Sequence, residues 1–235
     1  MRKYFSFDGT SCGEFGIYAG GFDTLGSTER EYEYISIPGK SGDLTLDRGR
    51  WKNQTITYHC GITSQFMAQY EAMRAFFMSH VGYYRLQDDF NVGQYRRAIF
   101  AGNIAPDVKQ FARAGKFDLT FNCMPQRWLI SGEAAVTFTA GGTIENPTRF
   151  NAKPLLRVTG AGTVGIGEEV ITIDPNTFEY IEIDTETGDA TYNATNANAY
   201  ISITGDTFPA LTPGENGITL NGVTELQIIP RWFTL

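Results

Sequence analysis

Apolar and polar residues alternate with a period of two along several stretches of the first half of the chain. Lys116-Phe117-Asp118-Leu119-Thr120-Phe121-Asn122-Cys123 keeps the alternation complete, and so predicts a strand with one apolar face. Residues 54–60 alternate with Ile56, Tyr58 and Cys60 inward. Residues 31–37 put Tyr32, Tyr34 and Ser36 on one face and Ile35 and Ile37 on the other. Residues 83–86 and 95–101 read as further strands. The turn-rich Gly39-Lys40-Ser41-Gly42-Asp43 precedes Leu44-Thr45-Leu46, which predicts a hairpin arm over 39–51. One stretch changes period: Phe66, Tyr70, Met73 and Phe77 fall at i, i+4, i+7 and i+11, the single stripe of a helix that packs on a sheet. Thr63 or Ser64 is placed to cap its start, and Gly82 lies just past its end.

The second half has no helical period. Short strands are expected at 135–139, 155–159, 164–166, 170–173, 180–183, 190–192, 199–203, 218–220 and 225–229. Gly, Asn, Asp and Pro punctuate them at intervals of roughly 8–12 residues, as in an antiparallel sandwich. Asp174-Pro175-Asn176 and Thr187-Gly188-Asp189 are tight-turn chemistry. The fold class expected is mainly β, with an α+β first module and a jelly-roll or galectin-like sandwich as the second.

Composition supplies the boundary. Residues 1–130 hold 15 of the 19 basic and 13 of the 26 acidic residues, a net +2; residues 131–235 hold the other 4 and 13, a net −9, and together these make the overall −7. Of the aromatics, 23 precede the break around Met124-Pro125-Gln126-Arg127-Trp128 and 9 follow it. Two modules with different surfaces, 1–130 and 131–235, account for this segregation better than one. A pI near 4.9 argues against adhesive binding to nucleic acid, which needs clustered cations. Neither an export signal nor an apolar run of about 18 residues is read, so cytoplasmic folding without a membrane span is expected. Cys12, Cys60 and Cys123 are odd in number and widely spaced, and are expected to be buried free thiols.

Catalytic constellations are not found. His59 lies in a strand pattern and His80 at a helix end, neither with a Cys, Ser or acid at motif spacing. Asp88 and Asp89 are adjacent on a strand and so point to opposite faces. Gly160-Ala161-Gly162-Thr163-Val164-Gly165 leads into strand-like residues, leaving a phosphate without a helix N-terminus. No catalytic, cofactor-binding or metal site is expected, and no enzyme.

Four blocks, in order, resemble the distal tail protein (Dit) family of long-tailed phages that infect Gram-positive bacteria. The first runs Ile37-Pro38-Gly39-Lys40-Ser41-Gly42-Asp43-Leu44, then Asp47-Arg48-Gly49-Arg50-Trp51-Lys52-Asn53 and Ile56-Thr57-Tyr58. The second is Tyr83-Tyr84-Arg85-Leu86-Gln87-Asp88 with Tyr95-Arg96-Arg97-Ala98. The third is Gly115-Lys116-Phe117, leading into Phe121-Asn122-Cys123-Met124-Pro125-Gln126-Arg127-Trp128. The last comprises Phe208-Pro209, Gly214-Glu215-Asn216 and Ile229-Pro230-Arg231-Trp232-Phe233-Thr234-Leu235. Residues 134–207 carry little of the resemblance beyond their strand pattern.

The resemblance implies a virion protein of the tail tip that forms a ring, usually a hexamer, through its first module. It implies the tail tube protein above, a tail-associated hub or lysin protein below, receptor-binding proteins in some cases at the rim, and passage of phage DNA without specific binding. A ring-former needs aromatic and Arg contacts, and Arg48, Arg50, Trp51, Tyr83, Tyr84, Arg85, Arg96 and Arg97 are the candidates, with the 39–51 arm expected to reach a neighbour. The acid excess of the second module suits a solvated domain or a surface that repels passing DNA. Trp232 and Phe233 should be buried near Trp128. The other reading is a carbohydrate-binding module, resting on Tyr180, Tyr192, Tyr200 and Trp232, which the sequence alone does not place on one face.

Overall fold

The computed structural model describes residues 3–20, 23–109, 113–175 and 177–235. Asn176 of the expected 174–176 turn lies outside the described residues. The chain divides into two units, one running to Arg127 and taking in Leu235, the other Trp128–Thr234. The fold is mainly β, as expected, with one α-helix among the described residues.

In the first unit the strands are β1 (Phe5–Phe7), β2 (Thr10–Ser11), β3 (Ile17–Gly20), β4 (Arg30–Ile35), β5 (Leu44–Trp51), β6 (Gln54–Ile62), β7 (Tyr84–Asp88), β8 (Gln94–Phe100), β9 (Asp107–Lys109) and β10 (Ala114–Cys123). The main sheet runs β2-β1-β7-β8-β10-β6-β3, with β9 on β10. Lys3 bridges Ala19 through a 2.9 Å backbone bond, so the sheet curls until its β1 and β3 ends meet. The alternation that predicted β6 and β10 sends Ile56, Tyr58, Cys60, Phe117, Leu119, Phe121 and Cys123 into one core. Phe121 is central there, with ring centroids 5.3–5.8 Å from those of Phe5, Phe7, Tyr58, Phe77 and Phe100.

The helix α1 (Phe66–Ser79) buries Phe66, Tyr70, Met73 and Phe77, the predicted stripe. Gly115 of β10 permits the approach, since a Cβ there would lie 2.4 Å from the Phe66 ring. The predicted caps are absent. Gln65 stands at the boundary in the left-handed region, φ 49°, and no side chain caps the helix. A side-chain cap needs an extended boundary residue to face the first-turn N–H groups, and this backbone does not provide one.

The second unit contains β12 (Val136–Phe138), β13 (Gly142–Asn146), β14 (Leu155–Thr159), β15 (Gly162–Ile166), β16 (Glu169–Ile173), β17 (Ile181–Asp184), β18 (Asp189–Tyr192), β19 (Thr195–Asn196), β20 (Ile201–Ile203), β21 (Gly214–Asn221), β22 (Glu225–Ile229) and β23 (Phe233–Thr234), and β11 (Arg127–Leu129) crosses into it. One sheet runs β12-β22-β14-β17-β18-β19 and the other β13-β21-β15-β16-β20, and their pairings are antiparallel. Leu156, Val158, Ile181, Ile183, Leu226 and Ile228 of the first sheet share a core with Val164, Ile166, Ile171, Ile173 and Ile218 of the second. Two buried amides hold the adjoining loops. Asn146 donates to the carbonyls of Phe150 and Leu211, and Asn216 accepts from the Thr212 N–H while donating to Thr212 and Gly214 carbonyls.

Candidate assembly surface

Among the described residues the strands β4 and β5 pair only with each other, a two-stranded sheet separate from the main one. The register sets Ile35 opposite Leu44, Glu33 opposite Leu46, Tyr34 opposite Thr45 and Tyr32 opposite Asp47. Directly paired residues share a face. One face therefore carries Ile35, Leu44 and Leu46, and the other carries Tyr32 and Tyr34, with ring centroids 6.3 Å apart. Both are bare: Tyr34 is 64% exposed and Leu44 54%, and Tyr32, Ile35, Ile37 and Leu46 are exposed too.

Charges stitch the hairpin across its strands. Arg30 Nε donates to Asp47 at 2.8 Å, Arg48 pairs with Glu33, Arg50 with Glu31, and Lys52 Nζ stands 3.3 Å from Glu29. The Arg30 guanidinium and then the Gly49 N–H hold the Asp47 carboxyl below its ordinary range, and Arg50 does the same for Glu31. Arg30 also lies over the Trp51 ring, 5.2 Å from its centroid. At the tip Ser36 donates to Asp43 at 2.8 Å, and Gly39 and Gly42 take φ of 80° and 85°. Isolated hairpins are marginal in water, so the ion pairs set the arm's shape while its apolar side chains stay available.

The structure sorts the other contact candidates. Arg48, Arg50 and Trp51 belong to the arm. Tyr83 is exposed and accepts from Asn53 Nδ2 at 2.9 Å. Tyr84 packs edge-on to Phe7 and His80, and Arg85 lies 3.9 Å from the centroid of Tyr95. Arg97 is exposed on β8. Arg96 is no surface contact: it is 4% exposed and donates to Gln54 Oε1 and the Thr24 carbonyl. Its position in phase with buried Ala98 and Phe100 was the signal for this.

Tertiary structure gives each histidine an acid that spacing did not suggest. The β6–β10 register sets His59 opposite Asp118, with Nδ1 2.7 Å from the carboxylate, and His80 Nε2 is 3.3 Å from Asp8. His59 and Asp118 border an open depression of about 330 Å³ with Tyr18, Lys116 and Cys60. Burial pushes the Cys60 thiol well above its ordinary value, which withholds the thiolate a nucleophile needs. Asp88 accepts from Tyr58 Oη at 2.7 Å and from the backbone of Phe90 and Asn91, and Asp89 accepts from the Tyr4 N–H at 3.0 Å. These carboxylates organise a turn. The glycines at 160–162 form a turn into β15, where a Cβ on Gly162 would meet the Asn221 carbonyl at 2.1 Å. Among the described residues, His, Cys, Asp and Glu form no group of three or more that could hold a metal, and no helix is long and apolar enough to cross a membrane.

In the second unit, Trp232 is buried, and Phe233 lies between Trp128 and Phe150 with both centroid distances 5.5 Å. The Leu129 N–H donates to the Trp232 carbonyl, and Arg231 holds Asp184 in a two-point ion pair at 2.8 and 2.9 Å.

No protein-family model matches the chain, and no curated protein does. Among solved structures, it is similar to the SPP1 Dit protein (gp 19.1), described as a paradigm of the hub adsorption apparatus in phages infecting Gram-positive bacteria, over 100% of both chains with a TM-score of 0.70 and 10% identity. Two structures of the phage P2 baseplate in its activated conformation, with Ca and with Sr, align over 97% of this chain and 98% and 97% of theirs, with TM-scores of 0.47 and identities of 10% and 11%. From end to end, this chain has the fold of the SPP1 Dit protein.

Proposed function

We propose that this protein is a structural component of a phage tail tip, a distal tail protein that self-associates into a hexameric ring through its first unit. The ring joins the tail tube protein to a tail-associated hub protein, supports the host-adsorption apparatus, and lets DNA pass without binding it. The role is one of scaffolding and requires no catalysis. One observation carries the reading: the β4–β5 arm exposes apolar side chains on both faces. Such surface is costly in water and is usually covered by a partner. A second copy is the natural occupant, because an exposed hairpin that docks head-to-tail on the next copy generates a ring when the rotation closes. The fold shared with the SPP1 Dit protein supports the same assignment, and the blocks quoted from the sequence support it independently.

The mass of the full chain by light scattering, with negative-stain imaging, tests this. A ring with a central hole is expected. Deleting residues 40–49, or replacing Leu44→Ser together with Leu46→Ser, should lower the mass, the double substitution at a stability change within about 0.5 kcal/mol. A wild-type chain that stays monomeric at high concentration, or variants of unchanged mass, would overturn the assignment.

A further inference from the structure

The strand β20 ends its sheet, paired with β16 on one side and, among the described residues, with no strand on the other. Residues 200, 202 and 204 turn their backbone groups toward β16. The Asp174 N–H donates to the Tyr200 carbonyl, the Thr204 N–H donates to the Val170 carbonyl, and Ser202 faces Thr172 between them. In an antiparallel ladder that alternation turns the N–H and C=O groups of Ile201 and Ile203 outward. The Ile201 N–H is taken by the Asn198 carbonyl. The Ile201 carbonyl and both backbone groups of Ile203 are reached by no hydrogen bond among the described residues. Sheet edges are ordinarily guarded by a charge, a proline or a bulge. Here Ile201-Ser202-Ile203-Thr204 is uncharged, and its register on β16 is unbroken.

An open depression of about 230 Å³ adjoins this edge, lined by the strand itself with Gly188, Asn198 and Phe208. Ile201, Ile203 and Phe208 are half-buried, so its floor is apolar and uncovered. The aromatic cluster next to it is closed on itself: Phe178 stacks on Tyr192 and meets Tyr200 edge-on, Tyr192 meets Tyr180, and Arg157 lies over Tyr180. Charge around the edge has one sign. Residues 158–230 contain eleven acids and no Lys or Arg. The Glu169 carboxylate stands beside Gly205 just past the strand, 3.0 Å from where a Cβ would lie, and Asp189 follows Gly188. We propose that the β20 edge is a docking site for a basic, extended segment of another polypeptide, which adds to the sheet as a further strand. Outward N–H and C=O groups at strand spacing match another backbone, and an apolar side chain of the segment fills the depression. Lys or Arg on alternate positions then meet the surrounding acids. A second copy of this edge is a poor occupant, because pairing two acidic borders sets like charges together.

Fluorescence anisotropy with the full-length protein tests this. The probe is the end-blocked, labelled heptapeptide Lys-Val-Lys-Ile-Lys-Val-Lys, which should bind and do so more weakly at high salt. Two controls should fail to bind: Glu-Val-Glu-Ile-Glu-Val-Glu, and the basic peptide N-methylated at its Val and Ile nitrogens, which face the edge in antiparallel pairing. Hydrogen exchange read by mass spectrometry should show protection gained over residues 200–204. Ile203→Pro removes the outward N–H and should weaken binding by about tenfold. Ser202→Lys, on an exposed side chain, should weaken it by about threefold through repulsion, and remains a test if the proline variant fails to fold by circular dichroism. No binding, equal binding of either control, protection gained elsewhere, or affinity that a folded Ile203→Pro and Ser202→Lys leave unchanged would overturn the proposal. So would a fall in the mass of the protein alone on Ser202→Lys, which would assign the edge to a second copy. The arm variants should bind the peptide as the wild type does, so ring assembly and edge docking can fail separately.

Discussion

The strand pairs β6–β10 and β4–β5 are built from the same local pattern and meet opposite fates. Each is antiparallel, and each alternates apolar with polar residues along at least one strand. In β6–β10 the inward side chains close over a core to which Phe5, Phe7 and the α1 stripe also contribute. In β4–β5 both faces stay open, and the side-chain ties across the strands are solvent-accessible ion pairs, the Arg30–Trp51 contact and the Ser36–Asp43 hydrogen bond. Alternation therefore specifies a strand with two distinct faces, but not what covers either of them. The first pair stabilises the monomer. The second leaves its apolar surface exposed, which is the physical basis for proposing it as the assembly surface.

The largest test of that contrast is Phe121→Ala. Phe121 is fully buried among five aromatic rings, and its loss should cost about 3–5 kcal/mol, read as a lower midpoint in chemical denaturation. A loss no larger than that of an exposed arm residue would erase the distinction. Tyr58→Phe should follow, at about 1.5–3 kcal/mol, because it removes a 2.7 Å hydrogen bond to the Asp88 carboxylate without opening a large cavity. A neutral result would mean that the backbone N–H groups of Phe90 and Asn91 suffice to hold that carboxylate.

The smallest effect is expected in the arm. Asp47 and Glu31 are held below their ordinary carboxylate range by Arg30 and Arg50. Their contribution is thus complete above the unfolded-state values and is lost as pH falls through the lowered folded ones. Protection factors of residues 30–35 and 44–51, each taken against the intrinsic exchange rate at that pH, should fall on acidification through that window, while those of β6 and β10 hold. High salt should mimic part of the change, since these pairs are open to solvent. An equal fall in protection across both strand pairs would show that the arm is not an independent element.

Much of this was legible in the residues. The complete alternation of 116–123 predicted β10, and the 66-70-73-77 stripe predicted the buried face of α1. Residues 155–159 and 225–229 are β14 and β22 as predicted. The strands β1, β2, β3 and β9, with two to four residues each, are too short to display a period, and β13 has one apolar residue among five. The three thiols are buried and free, as their spacing suggested. The exposed arm could be placed as a hairpin from its turn chemistry, but nothing local distinguishes an apolar strand face that will be covered within the chain from one that will not.

What the sequence determined alone is what nearest neighbours along the chain decide: strand, helix, turn, and which side chains share a face. The encounters between distant segments belonged to the tertiary structure. Only strand register and loop packing could set Asp118 against His59, bring Gln54 and Thr24 to the inward Arg96, and gather Tyr180, Tyr192 and Tyr200 into one patch. Periodicity is a property of a few consecutive residues, whereas register depends on loop closure and core packing summed over a whole unit.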